Sequence, residues 1–141
     1  MAADPDLELQ GAVVARLKAD PVVAALVGDG VVVRIYDQPP PLPERVFPYV
    51  SIGPTDAMED DADCIAGTDI VMQIDVWSRA VGFPECKRVS NAVLNALHEA
   101  PIDLPVNALV VIQHQQTRTM RDPDGLTSHA AMNFQALVER R

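Results

Sequence analysis

The sequence predicts an α+β domain: a mainly antiparallel sheet of about five strands, two main helices packed on one face, and a C-terminal β-hairpin. Three observations lead there. Ile70, Met72, Ile74 and Val76 alternate with Gln73, Asp75 and Trp77, the period-two pattern of a strand with one apolar face. Pro84 then opens a stretch in which Cys86, Val89, Val93 and Leu97 recur at helical spacing, and a proline is well placed in a first helical turn because its missing N–H has no partner to lose. Finally, Arg121-Asp-Pro-Asp-Gly-Leu126 is the strongest turn signal in the chain, since proline presets one turn residue and Gly125 supplies a positive φ. Beyond it Ala130, Met132, Phe134, Ala136 and Val138 alternate with His129, Asn133, Gln135 and Glu139, closing a long hairpin.

The remaining elements follow in chain order. Asp4-Pro5 pairs an N-cap carboxylate with a first-turn proline, and Leu7, Ala12, Val14, Ala15 and Leu17 give the following helix an apolar face. Asp20-Pro21 repeats the signal, predicting a short second helix over Val22–Val27 that ends at Gly28-Asp-Gly30. Val31–Tyr36 is rich in β-branched residues and reads as the first strand. Asp37–Pro48 holds a proline cluster and reads as irregular, a stiff extended connector or a polyproline ligand for another domain. Tyr49–Gly53 reads as a short second strand, Thr55–Gly67 as a long acidic loop, and Ile70–Arg79 as the third strand. The main helix runs from Pro84 to about Glu99 and Pro101 stops it; Asp103–Asn107 turns into the fourth strand, Ala108 to about Met120. The polar strand face with Gln73, Asp75, Asn133 and Gln135 is either solvated or covered by another chain.

At 141 residues and 48% hydrophobic, the chain is long enough for one domain, 1–141, with a real core. No apolar run reaches the roughly 20 residues of a bilayer-spanning helix, and the acidic start MAADPDLELQ lacks the basic segment of a signal peptide. The expectation is a protein of the cytoplasm, with Cys64 and Cys86 reduced. A net charge of −9, from 20 acidic and 11 basic residues, argues against wrapping nucleic acid, which requires a basic patch.

Several groups of residues are candidates for chemistry. Asp56, Glu59, Asp60, Asp61 and Asp63 suggest a calcium loop, but such loops need ligands at alternating positions, a glycine at the bend and a closing glutamate; a solvated acidic loop fits better. His98, His114 and His129 form no HxxxH or HxH pair, and His114 and His129 read as cross-strand neighbours in the hairpin. Ser51, Ser78, Ser90 and Ser128 lack a nucleophile context, and Gly28-Asp-Gly30 precedes a strand rather than a helix, so no phosphate loop forms. Trp77, beside Arg79, packs in the core or anchors a subunit contact. No catalytic, cofactor or metal residue is assigned, and the chain reads as a non-enzyme without cofactors.

RIYDQPP, FPYVSIG, DVWSRAVGF and RDPDGLTSH appear in that order. This pattern resembles the tail-completion (tail-terminator) family of long-tailed bacteriophages and gene transfer agents, over about Leu7 to Val138. The resemblance implies a ring, typically a hexamer, that caps the tail tube and joins it to the head-side connector while DNA passes through without specific binding. Localisation would be the bacterial cytoplasm during assembly, then the particle. It implies no catalytic residues. Candidate subunit or partner contacts are Asp56, Met58, Glu59, Asp60, Asp61, Gln73, Asp75, Trp77, Arg79, Asp122 and Asp124. Six copies at −9 each would carry about −54, and an acidic lumen would let DNA slide. Two rival readings are a head-side adaptor or stopper of the same particle and a small cytoplasmic ligand- or metal-binding domain.

Overall fold

A computed structural model describes residues 2–62 and 65–141. The chain runs α1 (Pro5–Ala19), α2 (Pro21–Val27), β1 (Ile35–Tyr36), β2 (Tyr49–Glu59), β3 (Gly67–Ser78), α3 (Pro84–Leu97), β4 (Ala108–Arg121) and β5 (Ser128–Glu139). The strands form one sheet in the order β1-β2-β3-β5-β4. Three neighbouring pairs are antiparallel and β1–β2 is parallel, so this α+β sheet is mixed at one edge.

Both predicted helix starts form as expected. Asp4 accepts from the Asp6 N–H at 3.0 Å, and Asp20 accepts from the Val22 and Val23 N–H groups at 3.0 Å, each followed by a first-turn proline. The buried face of α1 is Leu9, Val13 and Leu17, whereas Leu7 is exposed. Leu17 is buried as expected and Val14 packs partly against the core, but Leu9 and Val13 rather than Leu7 complete the face, because α1 is apolar around much of its circumference and docking rather than periodicity selects its face. α3 needs no such correction: Cys86, Val89, Val93 and Leu97 are all fully buried.

The helices cover one face of the sheet. On it Ile70, Met72, Ile74 and Val76 pair across to Ala136, Phe134, Met132 and Ala130, and these side chains are at most 1% exposed. Each such large apolar side chain contributes roughly 1.5–3 kcal/mol by burial. With Val50, Ile52 and Ile112 and the buried residues of the three helices they make one contiguous core.

Three strand boundaries differ from expectation. The first strand shrinks from Val31–Tyr36 to two residues, because the Asp29 carboxylate accepts from the Val31 and Val32 N–H groups and holds them in a turn. The second strand lengthens to 11 residues and takes in Thr55–Glu59, which the sequence presents as loop. Its outer half is exposed on both faces, so burial imposes no alternation on it; pairing of Thr55–Glu59 with Met72–Thr68 holds it extended. Third, β3 begins at Gly67 rather than Ile70. A bulge between Ile52 and Thr55 separates the two halves of β2. The connector Asp37–Pro48 contains a 3-10 turn, Leu42–Glu44.

The β4–β5 hairpin closes as read. The Asp122 N–H donates to Thr127 O and the Gly125 N–H to Asp122 O, with Gly125 at φ 72°. The register opposes His114 to Phe134 and His129 to Met120. The two histidines are therefore not neighbours, since two residue pairs of opposite side-chain facing cannot be superposed without a register slip.

Candidate functional site

The face of the sheet that no helix covers carries the polar half of each alternating pattern. Down its middle run Gln73 opposite Asn133, Asp75 opposite Ala131, and Trp77 opposite His129. Cross-strand pairing places the His129 ring on Trp77, 3.8 Å between centroids and 9° from parallel. Tyr49, opposite Trp77 on the other neighbour, stacks at 6.2 Å, and Phe47 and Tyr36 tilt against Tyr49 at 5.1 and 5.9 Å. Trp77 Nε1 donates to Ser51 Oγ at 3.0 Å beside this aromatic row.

Asp75 lies beneath the row with its side chain 9% exposed. Its Oδ1 accepts from His129 Nε2 at 2.6 Å and from Gln73 Nε2 at 2.9 Å. Gly53 fits here because it lacks a side chain; a Cβ would lie 2.7 Å from Asp75 Oδ2. The sequence candidates Gln73, Asp75 and Trp77 thus form one network, with His129 and Ser51 as members that sequence reasoning did not assign to it. His129 shares the strand phase of Asn133 and Gln135 and follows the turn directly, but only the register reveals Trp77 as its partner.

Arg79, Asp122 and Asp124 extend this network at the hairpin end. Arg79 sits over the Phe47 ring at 4.4 Å, its Nε donates to Thr127 Oγ1 at 3.1 Å, and Asp124 Oδ2 lies 3.9 Å from Nη2. Backbone N–H groups of Thr127 and Leu126 hold the Asp124 carboxyl below its ordinary pKa, helped by the Thr127 hydroxyl. Burial raises the Tyr49 phenol, opposed by Arg45. Pro39, Leu42 and Arg45 complete an open cleft of about 360 Å³ over this end.

The other five candidates lie at the opposite end of the same strands. Asp56, Met58 and Glu59 occupy the outer half of β2 and Asp60 and Asp61 the turn after it, all exposed. Arg140 ties this tongue to the C-terminal strand: its guanidinium reaches Gly67 O, Thr68 Oγ1 at 2.8 Å, Asp61 at 2.9 Å and Glu59 at 3.3 Å. Asp63 and Cys64 lie outside the described residues. The 12-residue β3 separates the two groups of candidates by roughly 40 Å of extended strand.

What the geometry offers is contact surface. Cys86 is buried with its thiol pushed up to about 11, chiefly by burial, the state of an inert structural cysteine. Among the described residues no three metal-ligating side chains converge, and no helix is long and apolar enough to cross a membrane.

The family model described as tail completion protein gp17 matches residues 11–139. The chain belongs to this tail-completion family. Its fold is also similar to that of a chain in a solved structure described as the virion of a native gene transfer agent particle, with a TM-score of 0.85 and 34% identity over 95% of this chain and 96% of that one. No curated protein matches the sequence. The protein is accordingly a structural component of the phage-tail or gene-transfer-agent class, and the family is not an enzyme family.

Proposed function

We propose that the chain forms a ring, a hexamer, that terminates the tail tube and joins it to the head-side connector, with DNA passing through the lumen. The observation that carries this reading is the near end-to-end match to a chain of a gene transfer agent virion, 95% of one and 96% of the other. The exposed contact surfaces at both ends of the sheet are consistent with a subunit that has neighbours on two sides. The net charge of −9 per chain favours a lumen that repels DNA phosphates and lets the duplex slide.

Assembly in the cytoplasm precedes incorporation into the particle. Negative-stain electron microscopy of the purified protein, alone and added to tail tubes, tests the proposal. Six-fold rings that cap one end of the tubes support it; particles without rotational symmetry, and tubes left uncapped, overturn it. A density map with a basic pore wall would remove the electrostatic part and leave the ring.

A further inference from the structure

The two ends of the sheet differ in charge and share exposed apolar groups. At the hairpin end, Arg79, Val81, Arg121 and Leu126 line a groove of about 440 Å³. Val81 is fully exposed and Leu126 is 68% exposed. Phe83, beside the groove, holds two cations against its ring, Arg121 at 4.6 Å and Lys87 at 5.7 Å. Among the described residues neither cation has a carboxylate within ion-pair distance. Arg79, by contrast, is committed to Asp124 and Thr127. The groove therefore presents exposed apolar side chains, Val81 and Leu126, beside the positive charge of Arg121 and Lys87.

At the other end, the β2–β3 tongue shows the complementary pattern. β1 is only two residues long, so beyond Ile52 the outer edge of β2 has no strand partner among the described residues. Met58 and Ile65 are 69% and 56% exposed there. Arg140 offsets Glu59 and Asp61, while Asp56 and Asp60 have no cationic partner among the described residues. The tongue is thus apolar and negative where the groove is apolar and positive.

We infer that the acidic tongue of one copy, carrying Asp56, Met58, Asp60 and Ile65, docks on the groove formed by Val81, Arg121 and Leu126 of a second copy, with Phe83 and Lys87 at its side. The occupant is a second copy because this chain itself carries the matching charge and apolar residues at the far end of the same sheet. A contact between opposite ends of one subunit is heterologous, and such contacts close into rings when the rotation permits. Exposed apolar side chains supply the buried centre and the charges set register and partner choice. This inference rests on the ring proposed above and names the surfaces that build it.

Sedimentation velocity of three variants tests it: Asp56→Lys with Asp60→Lys, Lys87→Glu with Arg121→Glu, and all four together. All four positions are exposed, and circular dichroism verifies that each variant folds. Each double reversal should raise the concentration at which rings form by at least about tenfold, and the fourfold variant should recover most of that loss. Wild-type rings that both double reversals leave intact would overturn the tongue-and-groove contact while the ring stands. Equal weakening without recovery in the fourfold variant would also overturn it, since direct pairing requires rescue. A wild type that stays monomeric at every concentration and salt would overturn the contact as well, and electron microscopy of the protein added to tail tubes would then decide the ring independently.

Discussion

Gly53→Ala tests the network beneath the aromatic row most sharply. The new Cβ would lie 2.7 Å from Asp75 Oδ2 and 3.2 Å from Gln73 Cβ and Cγ. Real Cβ atoms do not approach an oxygen that closely, so the carboxylate must rotate away. Rotation lengthens the 2.6 Å contact with His129 Nε2 and the 2.9 Å contact with Gln73. Losing a buried hydrogen bond to a charged group costs about 1.5–3 kcal/mol, and replacing glycine in an extended strand returns about 0.4–1 kcal/mol through the unfolded chain. The net expectation is about 1–2 kcal/mol of destabilisation, a fall in Tm of about 3–6 °C for a domain of this size. Thermal and urea unfolding, followed by circular dichroism and by the fluorescence of Trp77, the lone tryptophan, measure it. In an Asp75→Ala background the 2.7 Å clash disappears and only the 3.2 Å contacts with Gln73 remain, so Gly53→Ala should cost distinctly less there, a coupling of more than about 1 kcal/mol. A higher Tm for Gly53→Ala in the wild type, or an equal cost in both backgrounds, would refute the close approach.

Further outcomes follow from other contacts. Arg140→Ala removes the cation that binds Gly67 O, Thr68, Glu59 and Asp61; it should cost about 1–2 kcal/mol and speed amide exchange in Glu59–Thr68, and unchanged exchange there would count against the tie. Because the Asp124 carboxyl is depressed below its ordinary value of 3.8, its stabilising effect is present above that pH and fades as pH falls through the folded-state pKa. The stability difference between wild type and Asp124→Ala should therefore be largest above about pH 4 and shrink below it; a difference that grows on acidification would contradict the assignment. Native Cys86, buried with its thiol near 11, should resist iodoacetamide at pH 8 and react once the protein is unfolded, as peptide mass spectrometry would show. Phe134→Ala, fully buried on β5, should cost about 3–5 kcal/mol, measured by urea unfolding.

Elements that bury one face announced themselves in the sequence. Ile70, Met72, Ile74 and Val76, and Ala130 through Val138 on β5, alternate because solvent lies on one side and helices on the other. α3 is legible for the same reason at helical period. The outer half of β2 is not, because Asp56–Glu59 is wet on both faces and its extended form comes from pairing with β3. β1 misled in the opposite direction: Val31 and Val32 have strand propensity, but Asp29 caps their N–H groups and turns them out to solvent. Of the candidate contacts, Trp77 stood out as the lone tryptophan, with Arg79 beside it. Their joining with Phe47, Tyr49, Ser51 and His129 depends on register across three strands, which no single stretch of sequence encodes. Arg121 and Lys87 matter through Phe83, a contact between a loop, a helix and a hairpin that periodicity does not reveal.

The most direct test of the central claim is tail length in particles made without this gene. Electron microscopy of lysates from the deletion strain, with the gene restored in trans as control, would measure it. A protein that terminates the tube should leave tails well beyond their normal length and unattached to heads. Free tails of normal length would contradict termination and assign the chain to the head side of the joint.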